Sequence, residues 1–377
     1  MTELGAAERP EVGTDAAIPL ARPWLGEREE ELVLEVMRSG RLSLGPWIER
    51  FEARVAERVD APFAAAVSSG TAGLGPGDEV VTSPLSFVAS ANCFVLEGAT
   101  PVFADVDPVT LNMDPHAVEA AITERTRAIV AVDMFGYPCE LDELRAISRR
   151  HGLVLVEDAC EALGAEYRGR PLGSHGESAV FAFYPNKQLT TGEGGVVVTH
   201  SEELWREVVS LRNQGRSYEE DAGWFNHVRL GFNYRWTDLQ AAIGVAQLEK
   251  LDRILELRAA AARRYGELLA DLDGVETPAP DDAEHRRSWF VYVVKLAAAI
   301  DRDGVMASLR RAGVATAEYV PCVHLQPYMR ERYGFRQGMC PVAEDVASRT
   351  LALPFFTQID AADQERVVEA LRTAVAA

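Results

Sequence analysis

Residues 178–199 read SAVFAFYPNKQLTTGEGGVVVT: an apolar run, a polar turn holding one lysine, a glycine-rich return and a run of valines. Short β-branched and aromatic runs bounded by Pro, Asn and Gly read as strands, and the same rhythm extends to both sides. Strands are predicted over residues 63–67, 79–82, 101–105, 128–132, 153–157, 178–183 and 195–199, with helical patterns near 87–96, 115–122 and 141–151. This alternation is the signature of an α/β fold with a mostly parallel sheet covered by helices. Most of the strand runs are apolar on both faces, as a sandwiched sheet requires.

Upstream, residues 27–38 and 47–59 read as helices, the second with Phe51, Val55 and Val59 on one face. Downstream comes a helix at 205–212. After a polar loop, Leu239, Ile243, Leu248, Leu251 and Leu255 recur at helical spacing within one long helix from about 236 to 272. Past the Pro/Asp-rich stretch 278–282 the pattern restarts as a strand (289–296), a helix (303–312) and a final amphipathic helix (361–375). The expected division is a loose arm over residues 1–17, a large domain over 18–250, and a long helix with a smaller α+β domain over 251–377.

The 377 residues suffice for two or three domains, and 47% hydrophobic with 25% charged residues is ordinary globular composition. Asp plus Glu number 58 against 38 Lys plus Arg, a net charge of −20 that repels nucleic acid and anionic membranes. Five scattered cysteines form no CxxC pair, and the seven histidines are dispersed, so structural zinc has no support and no metal is expected. Without a signal-peptide pattern or a long apolar stretch, a cytoplasmic location is expected.

Ligands of open α/β sheets lie at the carboxyl ends of the strands, and three such places hold polar residues. Ser68-Ser69-Gly70-Thr71 could present N–H groups to a phosphate, although a plain turn explains it as well. Glu157-Asp158 closes an apolar strand, where a carboxylate is costly without a partner. Lys187 stands between an aromatic strand and a glycine-rich return. A desolvated lysine favours the neutral amine, the form that attacks a carbonyl, yet on these residues alone an exposed surface lysine is the simpler reading. Gly192-Glu193-Gly194-Gly195 is not a dinucleotide fingerprint, since it enters a strand and not a helix. A Walker A sequence, HExxH and GxSxG are all absent.

Ser69-Gly70-Thr71, Gly75-Pro76-Gly77-Asp78-Glu79-Val80, the segment Glu157-Asp158-Ala159-Cys160-Glu161-Ala162, the lysine segment from Asn186 to Gly195, and Gly231-Phe232-Asn233-Tyr234-Arg235 occur in this order. Together they closely resemble the DegT/DnrJ/EryC1/StrS family, pyridoxal 5′-phosphate (PLP) sugar aminotransferases of fold type I, in a perosamine-synthase-like form. The resemblance runs from about residue 18 to 371. It implies that Lys187 holds the cofactor as an imine and then moves the proton on the substrate carbon, and that Asp158 pairs with the pyridinium nitrogen. It further implies that Phe87 stacks on the ring, that Glu161 lies beside it, and that Gly70 and Thr71 donate to the phosphate. Asn233 would reach the phosphate of the other subunit, which implies a homodimer. Tyr319 and His324 are carried over as substrate contacts, and Arg212, with Arg216 and Arg235 flanking the same loops, is a candidate cation for an anionic sugar nucleotide, although solvated surface arginines explain these residues as well.

Two departures stand out. Ala182 occupies a position where relatives commonly place a phosphate-binding Ser, a loss of ~1 kcal/mol or more. Only Ala72-Gly73-Leu74 separates Thr71 from the GPGDEV segment, where relatives place a whole helix aimed at the phosphate. The stretch from Ser68 to Asp78 can span up to roughly 36 Å when extended, so the crossing is allowed, but a covering helix and its dipole are lost and a weaker hold on the cofactor is expected.

The expected reaction is transfer of an amino group, from glutamate, to a nucleotide-linked keto-deoxysugar at C4. The alternatives are amination at C3 and a catalytically silent binding or regulatory member of the fold. Sugar 3-dehydration, in which His replaces the lysine, is opposed by Lys187.

Overall fold

The computed structural model describes residues 17–67, 75–218, 223 and 225–376. Gly70, Thr71 and nearly all of the N-terminal arm lie outside the described residues. Two helices, α1 (Glu27–Ser39) and α2 (Pro46–Arg58), precede β1 (Phe63–Val67). Then follow β2 (Glu79–Thr82), α3 (Ala89–Val95), β3 (Thr100–Phe103), α4 (Pro115–Ala121), β4 (Thr126–Val132), α5 (Leu141–His151) and β5 (Val154–Asp158). Two short strands, β6 (Glu166–Tyr167) and β7 (Arg170–Pro171), lead to β8 (Ser178–Ala182), β9 (Gly195–Thr199) and α6 (Glu202–Arg212).

The sheet order β1-β9-β8-β5-β4-β2-β3 is parallel except for β9, which runs against both of its neighbours. The chain therefore returns from β8 to β9 through the loop that carries Lys187. That loop is pinched at its base, where Phe183 N donates to Gly194 O (2.9 Å) and Thr191 N to Phe183 O (3.0 Å). Gly194, at φ +143°, lies under the Trp236 ring, and a Cβ there would come within 2.1 Å of it. Trp236 packs in turn against Phe51 and Phe183, with centroids 4.9 and 5.9 Å away, so the lysine loop is wedged onto the core.

The expected long helix is two helices, α7 (Asp238–Glu249) and α8 (Leu251–Leu269), broken at Lys250. After them come β10 (Val275–Glu276), β11 (His285–Arg286), β12 (Tyr292–Leu296), α9 (Arg302–Arg311), α10 (Pro327–Tyr333), α11 (Pro341–Arg349), β13 (Thr350–Leu353) and α12 (Ala361–Val375). The β10-β12-β13 sheet packs with α8, α9 and α12 into its own core around Tyr265, Val294 and Leu371, and Ile18 joins this core. β11 pairs instead with β6, tying this region to the larger sheet's loops.

One face of the large sheet departs from the sandwich expected. Val154 is 47% exposed, and Val156 and Val180 are half-buried. They floor a cavity of roughly 680 Å³ that is walled by Phe94 and by Leu204, Val208 and Leu211 of α6. By strand alternation this is the face that presents Asp158. In the sheet order β1 and β2 stand five strand spacings apart, roughly 24 Å. Among the described residues, no helix is long and apolar enough to cross a membrane.

Candidate active site

The ends of β5 and β8 are neighbours, Asp158 lying in register with Val180. Asp158 is the last residue of β5 and is half-buried. Its Oδ2 accepts from Ser90 Oγ at 2.5 Å, and Ser90 Oγ lies 2.6 Å from Ser86 Oγ. The turn that carries Phe87 is thereby tied to the carboxylate, while the Phe87 ring itself is 66% exposed.

Three residues after Asp158, the buried Glu161 meets the lysine. Lys187 Nζ lies 3.4 Å from Glu161 Oε1 and 4.0 Å from the centre of the Phe290 ring, with only 14% of the lysine side chain exposed. The other Glu161 oxygen accepts from Phe135 N at 2.9 Å. Burial raises the Glu161 carboxyl above its ordinary range, against the pull of Lys187 and of that N–H. Tyr319 closes the box: its Oη accepts from Asn186 Nδ2 at 3.2 Å, and its ring centre lies 5.9 Å from Phe135 and 6.1 Å from Phe290.

Lys187, Glu161 and Tyr319 thus converge, with Asp158 at the adjoining strand end. Asn233 is exposed on the loop before α7, its backbone bridged to Asn213. Arg212 sits at the β1 edge, where its guanidinium meets Glu52 and donates to Ala66 O at 2.7 Å. His324 is not brought to the site: it is fully buried, 3.0 Å from Glu344 Oε1 and packed against Phe103. A histidine paired with a carboxylate inside a core has no surface left for a substrate. Sequence reading missed Ser90, Phe135, Phe290 and Asn186. Ser86 and Ser90 carried a faint signal in their i, i+4 spacing, and the two phenylalanines read as core.

Behind the site, Asp133 is completely buried. Its Oδ1 accepts from Cys139 N at 2.9 Å and its Oδ2 has no partner among the described residues. Burial, reinforced by the Glu157 and Asp158 charges, holds its pKa well above the usual carboxylate range. The folded chain keeps this proton while the unfolded chain releases it, so native stability falls as pH rises from the ordinary carboxylate range. Asp133→Asn, which mimics the protonated acid, is expected to raise the thermal midpoint by a few degrees at pH 8 and to give no gain near pH 4. A gain independent of pH would refute the protonated assignment.

The sequence profile of the DegT/DnrJ/EryC1/StrS aminotransferase family matches residues 23–372. This chain belongs to that family. It is 37% identical over 378 residues to the spore coat polysaccharide biosynthesis protein SpsC of Bacillus subtilis, covering 95% of this chain and 97% of SpsC. The aminotransferase TlmJ from Streptoalloteichus hindustanus superposes with a TM-score of 0.89 at 34% identity, over 95% of this chain and 99% of TlmJ. The PLP-form of Spr1654 from Streptococcus pneumoniae gives 0.90 at 26% identity, over 96% and 99%.

The DegT/DnrJ/EryC1/StrS aminotransferases depend on PLP, and this chain is a sugar aminotransferase of amino-sugar and polysaccharide biosynthesis. The SpsC match extends over 378 positions, whereas 95% of this chain is about 358 residues, so roughly twenty positions of the relative have no counterpart here. Among the described residues no cluster of three or more His, Cys, Asp or Glu could hold a metal ion.

The residues present fit the family's cofactor. An exposed aromatic face, a carboxylate held at a strand end and a partly enclosed lysine suit the flat ring, the ring nitrogen and the aldehyde of that cofactor. No other lysine competes: of three in the chain, Lys250 pairs with Glu29 at 2.7 Å and Lys295 with Glu276 at 2.8 Å.

Proposed function

We propose that this chain is a PLP-dependent aminotransferase that moves an amino group from glutamate to C4 of a nucleotide-linked keto-deoxysugar, working as a homodimer with shared active sites. The observation that carries this reading is the enclosure of Lys187 between Glu161 and Phe290, beside the Asp158 carboxylate.

When bound, PLP supplies an electron sink for the charge that develops on the substrate carbon. Lys187 would hold it covalently and, once released, take and return the proton at the reacting carbon. Asp158, oriented by Ser90, would keep the ring nitrogen protonated. Phe87 would stack on the ring, and Gly70, Thr71 and the partner's copy of Asn233 would bind the phosphate. Glu161 and Tyr319 would border the substrate. Exposed Phe225, Val228 and Leu230, at 85%, 54% and 91%, surround the Asn233 loop and support a partner subunit there.

The purified protein is expected to show a cofactor absorption band that borohydride bleaches. Incubation with glutamate and a panel of nucleotide-linked 4-keto and 3-keto deoxysugars should give an amino sugar from the 4-keto compounds. A colourless protein that takes up no added PLP would overturn the reading in favour of a silent binding member of the fold. Product from the 3-keto compounds alone would move the chemistry to C3.

A further inference from the structure

Arg258 of α8 is 2% exposed, yet among the described residues no carboxylate faces its guanidinium. It donates to Trp289 O at 2.6 Å, to Phe290 O, and to Thr357 Oγ1 at 3.2 Å, and it lies 5.0 Å from the centre of the Phe355 ring. An unpaired buried cation is expensive. Here two successive carbonyls of one strap are gathered by the planar fork that only arginine offers.

The same strap is held from its other side. Gln188 Nε2 donates to Ser288 O (2.7 Å) and Ser288 Oγ (2.9 Å), and Ser288 N donates to Gly136 O at 3.1 Å. Gly136 sits at φ +80°, and a Cβ there would fall 2.4 Å from Ser288 O. Residues 288–290 are therefore clamped between the lysine loop and α8, and the side chain they deliver is the Phe290 ring, 4.0 Å from Lys187 Nζ.

We propose that Arg258 is a positioning residue for the active-site lysine: it fixes the Phe290 ring against Lys187 and so confines the amine between that ring and Glu161. This deepens the aminotransferase reading, on which the importance of Lys187 rests, but the geometry holds without any cofactor. An aromatic face over an ammonium group restrains it by an amount equivalent to roughly fivefold in equilibrium when partly desolvated.

The test is competitive acetylation of the full-length, cofactor-free chain, read by mass spectrometry, with Lys250 and Lys295 as internal references. Phe290→Leu is expected to raise the labelling of Lys187 relative to both references about fivefold. Arg258→Met should do the same while lowering the thermal midpoint, because it leaves the buried Trp289 and Phe290 carbonyls without their donor. The double variant should label no faster than Phe290→Leu alone, since the arginine acts through the ring.

Native-like labelling in a folded Arg258→Met, or additive effects in the double variant, would overturn the proposal. Should Arg258→Met not fold, Arg258→Lys decides: it keeps the charge but cannot gather both carbonyls, so native labelling in that variant overturns the proposal equally. Because acetylation needs no cofactor, a chain that never binds PLP still passes or fails this test independently.

Discussion

Lys187→Ala is expected to lower turnover by about 10⁴-fold or more, because one side chain both anchors the reacting group and carries the proton. Neither of the other two lysines is free to substitute. Lys250 is held by Glu29 and lies over Trp24 at 4.8 Å, and Lys295 is held by Glu276 and Pro108 O. The variant should therefore show no borohydride-fixed cofactor at any position, by peptide mass mapping. It should also lose more stability than the native chain as pH rises above the ordinary carboxylate range. Removing the ammonium leaves the buried Glu161 carboxylate without its cation, which raises an already elevated pKa further. A folded state that resists ionisation loses stability as pH rises through the ordinary carboxylate range. Residual turnover above one per cent, or a fixed cofactor on Lys250, would remove Lys187 from the central role.

The parts of the fold legible in sequence are those whose signal is local. β1, β2 and β9 were readable to the residue because each is a compact run of alanine, valine or threonine with clear ends. The break at Lys250 was not readable. The apolar spacing passes through Leu248, Leu251 and Leu255 without interruption, while a single residue at φ −116°, ψ 10° ends one helix and begins the next. The pairs β6, β7 and β11 escaped for the opposite reason, being two-residue strands defined only by partners more than a hundred positions away in the case of β6 and β11.

The site divides in the same way. Asp158, Glu161 and Lys187 stood in motifs that a family resemblance could pick out. Phe290 and Arg258 lie about 100 and 70 positions beyond the lysine and reach it only through tertiary packing. His324 shows the limit of carrying a role across by motif, since the pattern located the residue but not its burial. Valines of β5 and β8 that the pattern marked as core stand half-exposed along the floor of the cavity, because an apolar run does not say what packs on each of its faces.

Asp158→Asn is the second change with a large expected effect, and it separates charge from shape. Asparagine keeps the side-chain volume and, through its oxygen, can still accept from Ser90 Oγ, so the turn carrying Phe87 should stay in place. What it lacks is the negative charge that would keep a ring nitrogen protonated, and without that proton the ring is a poor electron sink. Turnover is expected to fall by about 10³-fold, within the range of a lost proton-positioning group, while PLP retention on dialysis changes by no more than about threefold. An independent readout lies next door. The Asp158 charge adds to burial in pushing the Cys93 thiol up to about 12 and in holding the Cys160 thiol well above its ordinary value. Neutralising Asp158 should therefore make both cysteines react faster with a thiol reagent at pH 8, whether or not cofactor is present. Near-normal turnover together with faster thiol reaction would mean that the carboxylate is correctly placed and ionised but does not serve the cofactor ring, whereas unchanged thiol reactivity would mean that its charge does not reach this pocket at all.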